Sequence, residues 1–370
     1  MWTTTPVTRL LRLDYPIFQG PFGGGYSTPA LAAAVSNGGG LGAYGAVGQE
    51  PERIAGVVGA IRALTTRPFA INLWVPIRGQ DDAKVTPDAF ARAAQRIAPF
   101  AREHGLDAPA PLSRRPTFEA QLEALLRAAT PVYSFVMGVP DAAVLAEIRK
   151  SGAASVGTAT TVDEALALEE AGCDVVVASG SDAGGHRGSF LRPVEQSLVG
   201  TMSLVPQIVS RVRIPVVAAG GIADGRGIAA ALALGAAGVQ IGTAFLATHE
   251  SGAPAAHKAL LGTESARSTR LTRAFSGRHA RGIDNELMRA LEEHPEDILT
   301  YPKQYEATAP LRRAAGKAGR AEHLALWAGQ SAALARSTGA AELLQRLAAE
   351  TDAVLRSATL APRAAGHDHR

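Results

Sequence analysis

The sequence predicts an α/β protein, a (β/α)8 TIM-type barrel with a long insertion after strand 3 and a C-terminal helical appendage. Three observations predict it. Short runs that are apolar on both faces alternate with longer runs of helical period, the strand-like runs number eight, and glycines cluster after several of them. Strands apolar on both faces belong to a parallel sheet covered by helices. Eight consecutive βα units favour closure over the doubly wound open sheet, which also alternates.

In chain order the strand candidates are "PIFQG", "LGAYGA", "FAINLWV", "VYSFVMG", "ASVGTA", "VVVASG", "IPVVAAGG" and "GVQIGTAFLA". Helical runs separate them and carry their own punctuation. Thr28-Pro29 and Glu50-Pro51 place proline at a first helical position, and Thr161 with Glu164 has capping-box spacing. Gly152 and Gly172 stand where helices end. Residues 76–116 exceed an ordinary strand-to-helix connection and read as a lid or binding loop. After residue 263 there is no good strand. "RAEHLALWAGQSAALARS" and "AAELLQRLAAETDAVLRSA" read as amphipathic helices, and 363–370 as a loose tail whose two histidines are weak metal candidates. The expected division is a barrel over 1–263, including the insertion, and a helical segment over 264–362 covering the substrate pocket.

Composition narrows the function classes. The 370 residues are 46% hydrophobic and 19% charged, which suits a substantial core. A net charge of +3 with scattered Lys and Arg gives no basic stripe for nucleic acid, though it suits a phosphorylated cofactor or small anion. The single cysteine, Cys173, excludes an internal disulfide and reads as a small apolar residue at a helix–strand junction. No secretory signal and no run near ~18 apolar residues is present, so a cytoplasmic, membrane-free protein is expected, with a homo-oligomer left open.

Reactive groups of parallel barrels sit at the carboxyl ends of the strands, with phosphate often held after strands seven and eight. Glycine falls there, at Gly220 and Gly221 and in "QIGT". Open backbone N–H groups, a helix N-terminus and the Thr243 hydroxyl would serve an anion. Gly23, Gly24 and Gly25 follow the first strand, where backbone can approach a flat ring. Asn72 interrupts the third strand as a buried amide needing partners, and Trp74 reads as packing. "GLGAYG" at 40–45 matches a dinucleotide fingerprint, but a helix precedes it where a strand is required. His186 follows the sixth strand among Gly184, Gly185 and Gly188, projecting over the barrel mouth as an acid–base candidate. Arg187 either holds an anion or pairs with Asp182. There is no nucleophile elbow, no metal motif and no persuasive carboxylate pair.

Four motifs in order, "PIFQGPFGGGYSTPALAAAVSNGGGLG", "PFAINLWVP", "GSDAGGHRG" and "VVAAGGIADGRGIAAALALGAAGVQIGTAFL", resemble the nitronate monooxygenases, formerly called 2-nitropropane dioxygenases. "AFSGRHARG", "YPKQY", "PLRRAAG" and "LWAGQ" extend the resemblance over nearly the whole chain. It implies a barrel carrying FMN, contacted by Gly23, Gly24, Asn72, Ser179, Gly184, Gly220, Gly221 and the run Gln240, Ile241, Gly242 and Thr243. It implies oxidation of alkyl nitronates, and of nitroalkanes in some cases, by O2 to a carbonyl compound and nitrite through a flavin semiquinone. His186 matches the active-site histidine, as base or as stabiliser of the anion. "QGPFGGGY" and Ser179 depart from the family's usual residues, at the pocket floor and in polar reach toward the flavin. The alternative is an NAD(P)H-dependent FMN reductase of quinones or enoyl thioesters. A flavin-binding protein without turnover is a third reading.

Overall fold

The structure is a computed structural model that describes residues 1–77, 84–109 and 116–360. The tail 363–370 and the insertion positions 78–83 and 110–115 lie outside the described residues. Eight strands form one parallel sheet: β1 (Ile17–Gln19), β2 (Gly42–Gly45), β3 (Phe69–Trp74), β4 (Val132–Val136), β5 (Ala154–Ala159), β6 (Val175–Ser179), β8 (Val216–Ala219) and β9 (Gly238–Ile241). A short strand β7 (Gly185–His186) follows β6 outside this sheet. Sheet order runs from β1 through β9, β8, β6, β5, β4 and β3 to β2. A parallel bridge from Phe18 to Leu41 joins the two ends, so the barrel closes as expected.

Alternation along each strand divides two cores. Val175 and Val177 of β6 face the barrel interior, with Phe18, Leu41, Val156 and Val217. Val176 and Ala178 face the helices, with Ile71, Phe135, Val239 and Ile241. Helix Pro6–Leu11 closes the amino-terminal end of the barrel by burying Val7 and Leu11 among the interior residues. The helix punctuation holds in part. The Thr28 hydroxyl accepts from the Leu31 N–H at 3.0 Å, and Gly172 ends its helix at φ 100. Thr161 accepts from the Glu164 N–H, but the Glu164 carboxylate turns away to Thr160, Phe190 and Leu191, leaving half of the expected capping box. Residues 42–45 of "GLGAYG" form β2 after helix Pro29–Asn37.

The C-terminal region differs from the expected helical segment. Strands β10 (Thr269–Thr272) and β11 (Ala280–Ile283) form an antiparallel sheet with β7, in the order β10, β11, β7. Both are four residues long, and β11 is buried throughout, so neither shows the alternation that reveals a strand. The run 320–337 is not a helix either. Leu324, Ala325, Leu326 and Ala328 are buried almost consecutively and Trp327 bridges Gly282, an extended arrangement with only two short 3-10 turns. The eighth strand is also shorter than read: it stops at Ile241, and Thr243–Leu246 is one helical turn.

Helix Ala340–Leu360 packs between helices Gly225–Ala233 and Pro29–Asn37, inserting Leu343, Leu344 and Leu347 into the strand–helix core. Gln345 donates to the Gly38 carbonyl at 3.0 Å, and Glu350 accepts from the Gly225 N–H at 3.1 Å. It is the eighth helix of the ring. A boundary at 263 therefore separates β9 from the helix that completes its βα unit, and the chain between them crosses the barrel mouth as a roof.

Candidate active site

The same alternation that fills the barrel aims Asn72, Trp74, Val136, Thr158, Ser179 and Gln240 upward into a cleft of about 670 Å³ at the carboxyl ends of the strands. Gly23, Gly24, Gly184, Gly220, Gly221, Gly242, Thr243 and His186 line it too. Ile241 does not. It is fully buried on the helix side, one residue out of phase with Gln240, and its carbonyl accepts from the Gly20 N–H at 2.8 Å. Asn72 is buried and donates through Nδ2 to the Ser134 hydroxyl at 3.0 Å.

One corner has the makings of an anion site. Gly220 and Gly221 hold φ of 113 and 67, which side chains rarely adopt, and a Cβ at Gly220 would stand 2.7 Å from the Thr201 hydroxyl. The Thr243 hydroxyl accepts from the Gly329 N–H at 3.0 Å, which leaves its proton for a ligand. Gly329 and Ser331 come from the roof, and Ser331 donates to the Gly221 carbonyl at 2.7 Å. The helix N-terminus expected to add its dipole is already taken. Asp224 caps it, accepting from the Arg226 and Gly227 N–H groups.

His186 sits in β7 opposite Ala280 of β11. Trp74 and Trp327 enclose its ring edge to face at 4.9 and 5.2 Å, so Trp74 packs at the rim of the site against His186. Its Nε2 lies 2.8 Å from the hydroxyl of buried Ser276. The glycines around it do two jobs. Gly185 has open space and φ 75, whereas a Cβ at Gly184 would stand 2.4 Å from the backbone at Ala328, so Gly184 admits the roof. Burial, then the charges of Arg278 and Arg312, push the His186 pKa down to about 3, so the ring is neutral near pH 7. Arg278 stacks over Tyr301 at 4.4 Å, and Arg312 over Tyr305 at 4.6 Å.

Arg187 takes neither expected role by hydrogen bond. It donates to the carbonyls of Gly180 at 2.6 Å and Ser179 at 2.8 Å, holding the loop after β6, while Asp182 accepts from Thr201. Beneath that loop, buried Glu164 accepts from the N–H groups of Thr160, Phe190 and Leu191. Buried Cys173 fits its structural reading, with a thiol pKa pushed up to about 12 by burial.

Three cations, Arg312, Arg313 and Lys317, line the cleft from helix Lys303–Ala318, and no carboxylate does among the described residues. Sequence reading missed this row and Ser276. "APLRRAAGK" carries a signal, since 309, 312, 313, 316 and 317 share one helical face. Ser276 carries none, being remote from His186 in the chain. Within the insertion, helix Pro87–Glu103 packs on the outside of the roof, against Phe275 and Leu287, and no described insertion residue lines the cleft. Of the two segments expected to cover the pocket, the C-terminal one lines it among the described residues.

The nitronate monooxygenase family model matches residues 4–350. A probable nitronate monooxygenase of Staphylococcus aureus (strain Newman) is 39% identical over 349 residues, 94% of this chain and 97% of that protein. One from Staphylococcus haemolyticus is 40% identical over 358 residues, 96% of this chain and 99% of that protein. A nitroalkane oxidase from Streptomyces ansochromogenes superposes with TM-score 0.86 at 42% identity, covering 95% and 99% of the two chains. FabK from Thermotoga maritima gives 0.75 at 29% identity, covering 96% and 98%. No helix among the described residues is long and apolar enough to cross a membrane. A family match over nearly the entire chain, with relatives about 40% identical across it, makes the protein an oxidoreductase of the nitronate monooxygenase family.

Proposed function

We propose that the protein oxidises alkyl nitronates with O2 to a carbonyl compound and nitrite, using FMN held in the cleft. The observation that carries this reading is the cleft itself: lined by glycine, cationic on one wall, without a carboxylate among its described residues, and overlooked by an uncharged histidine. The residues fit FMN. Gly220 and Gly221 leave backbone bare where a Cβ would intrude, and Thr243 has a proton to donate, so this corner suits the phosphate. Asn72, Ser179, Gly184 and Gln240 would border the flavin ring, with Gly23, Gly24 and Gly242 beside it. The flavin, when bound, supplies the electron chemistry; the protein supplies position and charge.

The chain's own residues divide the remaining work. Arg312, Arg313 and Lys317 draw in and hold a small anion, a task that a histidine with its pKa pushed down to about 3 does not share. Trp74, Trp327 and Tyr301 exclude water around His186. Ser276 decides what His186 offers. Its one proton goes either to the Arg278 carbonyl at 3.1 Å or to Nε2, while its oxygen accepts from the Arg278 N–H at 3.3 Å. Donating to the carbonyl and accepting Nε2–H makes three bonds, against two for the reverse. His186 then carries its proton on Nε2 and keeps the Nδ1 lone pair as a base toward the C–H of a neutral nitroalkane.

Mixing the purified protein anaerobically with a nitronate, and separately with NADH, tests the reading. Reduction of the flavin spectrum by the nitronate and none by NADH supports it. Rapid bleaching by NADH alone means the NAD(P)H-dependent reductase, and no flavin absorbance overturns the cofactor. His186→Asn should keep FMN and nitronate turnover while slowing neutral nitroalkanes by about 10²–10⁴.

A further inference from the structure

We propose a divalent-cation site, zinc in the first instance, formed by His323, Glu103 and Glu286 on the outer side of the roof. His323 is fully buried, yet its Nε2 has no hydrogen-bond partner. It points between two carboxylates, 3.7 Å from Glu286 Oε2 and 4.0 Å from Glu103 Oε2. Those separations are too long for hydrogen bonds. Each is close to the separation of two ligands on one ion, while the two carboxylates stand farther apart and have to swing together to share it. Two atoms each about 2.1 Å from a tetrahedral zinc lie about 3.4 Å apart. Both glutamates are about half exposed, so small side-chain rotations close the gap.

The surroundings hold the imidazole as a ligand needs to be held. Its Nδ1 lies 2.9 Å from His104 Nε2 and its ring packs edge to face on Phe100 at 5.2 Å. His104 Nε2 can accept Nδ1–H from His323, the tautomer that leaves the Nε2 lone pair outward, as second-shell partners do for metal-bound histidines. Asn285 donates to the carbonyls of Ala321 and Leu324, anchoring the turn that carries His323. Glu103 ends helix Pro87–Glu103 and Glu286 opens helix Glu286–Glu292. One nitrogen and two carboxylate oxygens suit zinc, with water completing the shell. Arg320 stands 3.3 Å from Glu103 and has to yield that oxygen or share the carboxylate. A second cluster, His294 with Glu296 and Asp297, is weaker because Arg92 and Arg96 already occupy both Asp297 oxygens.

Bound there, the ion clamps the insertion helix to the roof, far from any redox role. The test uses the flavin-loaded enzyme, stripped with chelator and titrated calorimetrically with Zn(II), with the melting temperature read in parallel. The full chain should bind one more zinc than the Glu103→Gln/Glu286→Gln double variant and melt higher when it does so. Each single substitution should weaken that zinc at least tenfold. Histidines elsewhere in the chain bind equally in both proteins and cancel. His323→Gln should abolish the extra zinc; if that variant misfolds, the surface glutamates decide. Equal stoichiometry and affinity in the full chain and the double variant would overturn the site, as would the absence of any zinc-dependent rise in melting temperature.

Discussion

Replacing Ser276 by alanine probes the chemistry of His186 without touching the ring. The 2.8 Å contact is made to a buried hydroxyl, and its loss strands the Nε2 proton. Stranding a buried donor costs about 1–3 kcal/mol. The ring escapes the cost by moving its proton to Nδ1, and a bond worth about 1.4 kcal/mol then lowers the fraction presenting a lone pair to the cleft about tenfold. Turnover of a neutral nitroalkane, kcat/KM, should fall by about that factor. Turnover of the preformed nitronate should stay level, since Arg312, Arg313 and Lys317 are unchanged. Initial rates of O2 consumption on the two forms of one nitroalkane, at matched flavin content, give the comparison. Ser276→Thr keeps the hydroxyl and should recover most of the loss. An equal fall on both substrates, or none on either, refutes the tautomer assignment.

Four other expectations can be checked independently. Gly221→Val forces a side chain onto a φ of 67 beside Asp182, and should lower the flavin-to-protein absorbance ratio severalfold. Arg312→Ala should raise KM for nitronate about tenfold at low salt, and less at high salt, in steady-state kinetics. His257 is buried, and burial pushes its pKa down from 6.5 to about 4. The unfolded chain takes up the proton that the folded one refuses, so stability falls as pH drops through that window, by about 3 kcal/mol at its acid end. Urea midpoints between pH 7 and 4 should show this slope, flattened in His257→Gln. Glu164→Gln puts an amide N–H against backbone donors and should cost about 2–3 kcal/mol by denaturant titration, loosening the loop that carries His186.

What could be read from the sequence was whatever depends on near neighbours. Asn72 stands out as a lone amide in the apolar run "FAINLWV", and the glycines of "VVAAGGI" mark the corner that the backbone leaves open, whereas Ser179 comes only with the family resemblance and Trp74 reads as packing. Ile241 lies off the cleft because a motif names consecutive residues, while a strand turns only every second side chain to one face. The roof was illegible for a different reason. β10 and β11 acquire strand character by pairing with each other and with β7, and "LALWAG" is extended because it lies against Gly184 and Gly282. Ser276 meets His186, and helix Ala340–Leu360 meets β9's neighbours, only once distant segments have come together.

The position of that last ring helix has a consequence for how the protein is made. During synthesis the eight barrel strands and the first seven ring helices emerge well before residue 340 does. The nascent barrel then waits with an open slot between helices Pro29–Asn37 and Gly225–Ala233, apolar where Leu343, Leu344 and Leu347 will later sit. Contacts spanning so much of the chain form slowly, and exposed apolar surface invites association in the meantime. Ribosome-bound chains stalled before residue 340 should therefore recruit holdase chaperones, and release them once the helix has docked.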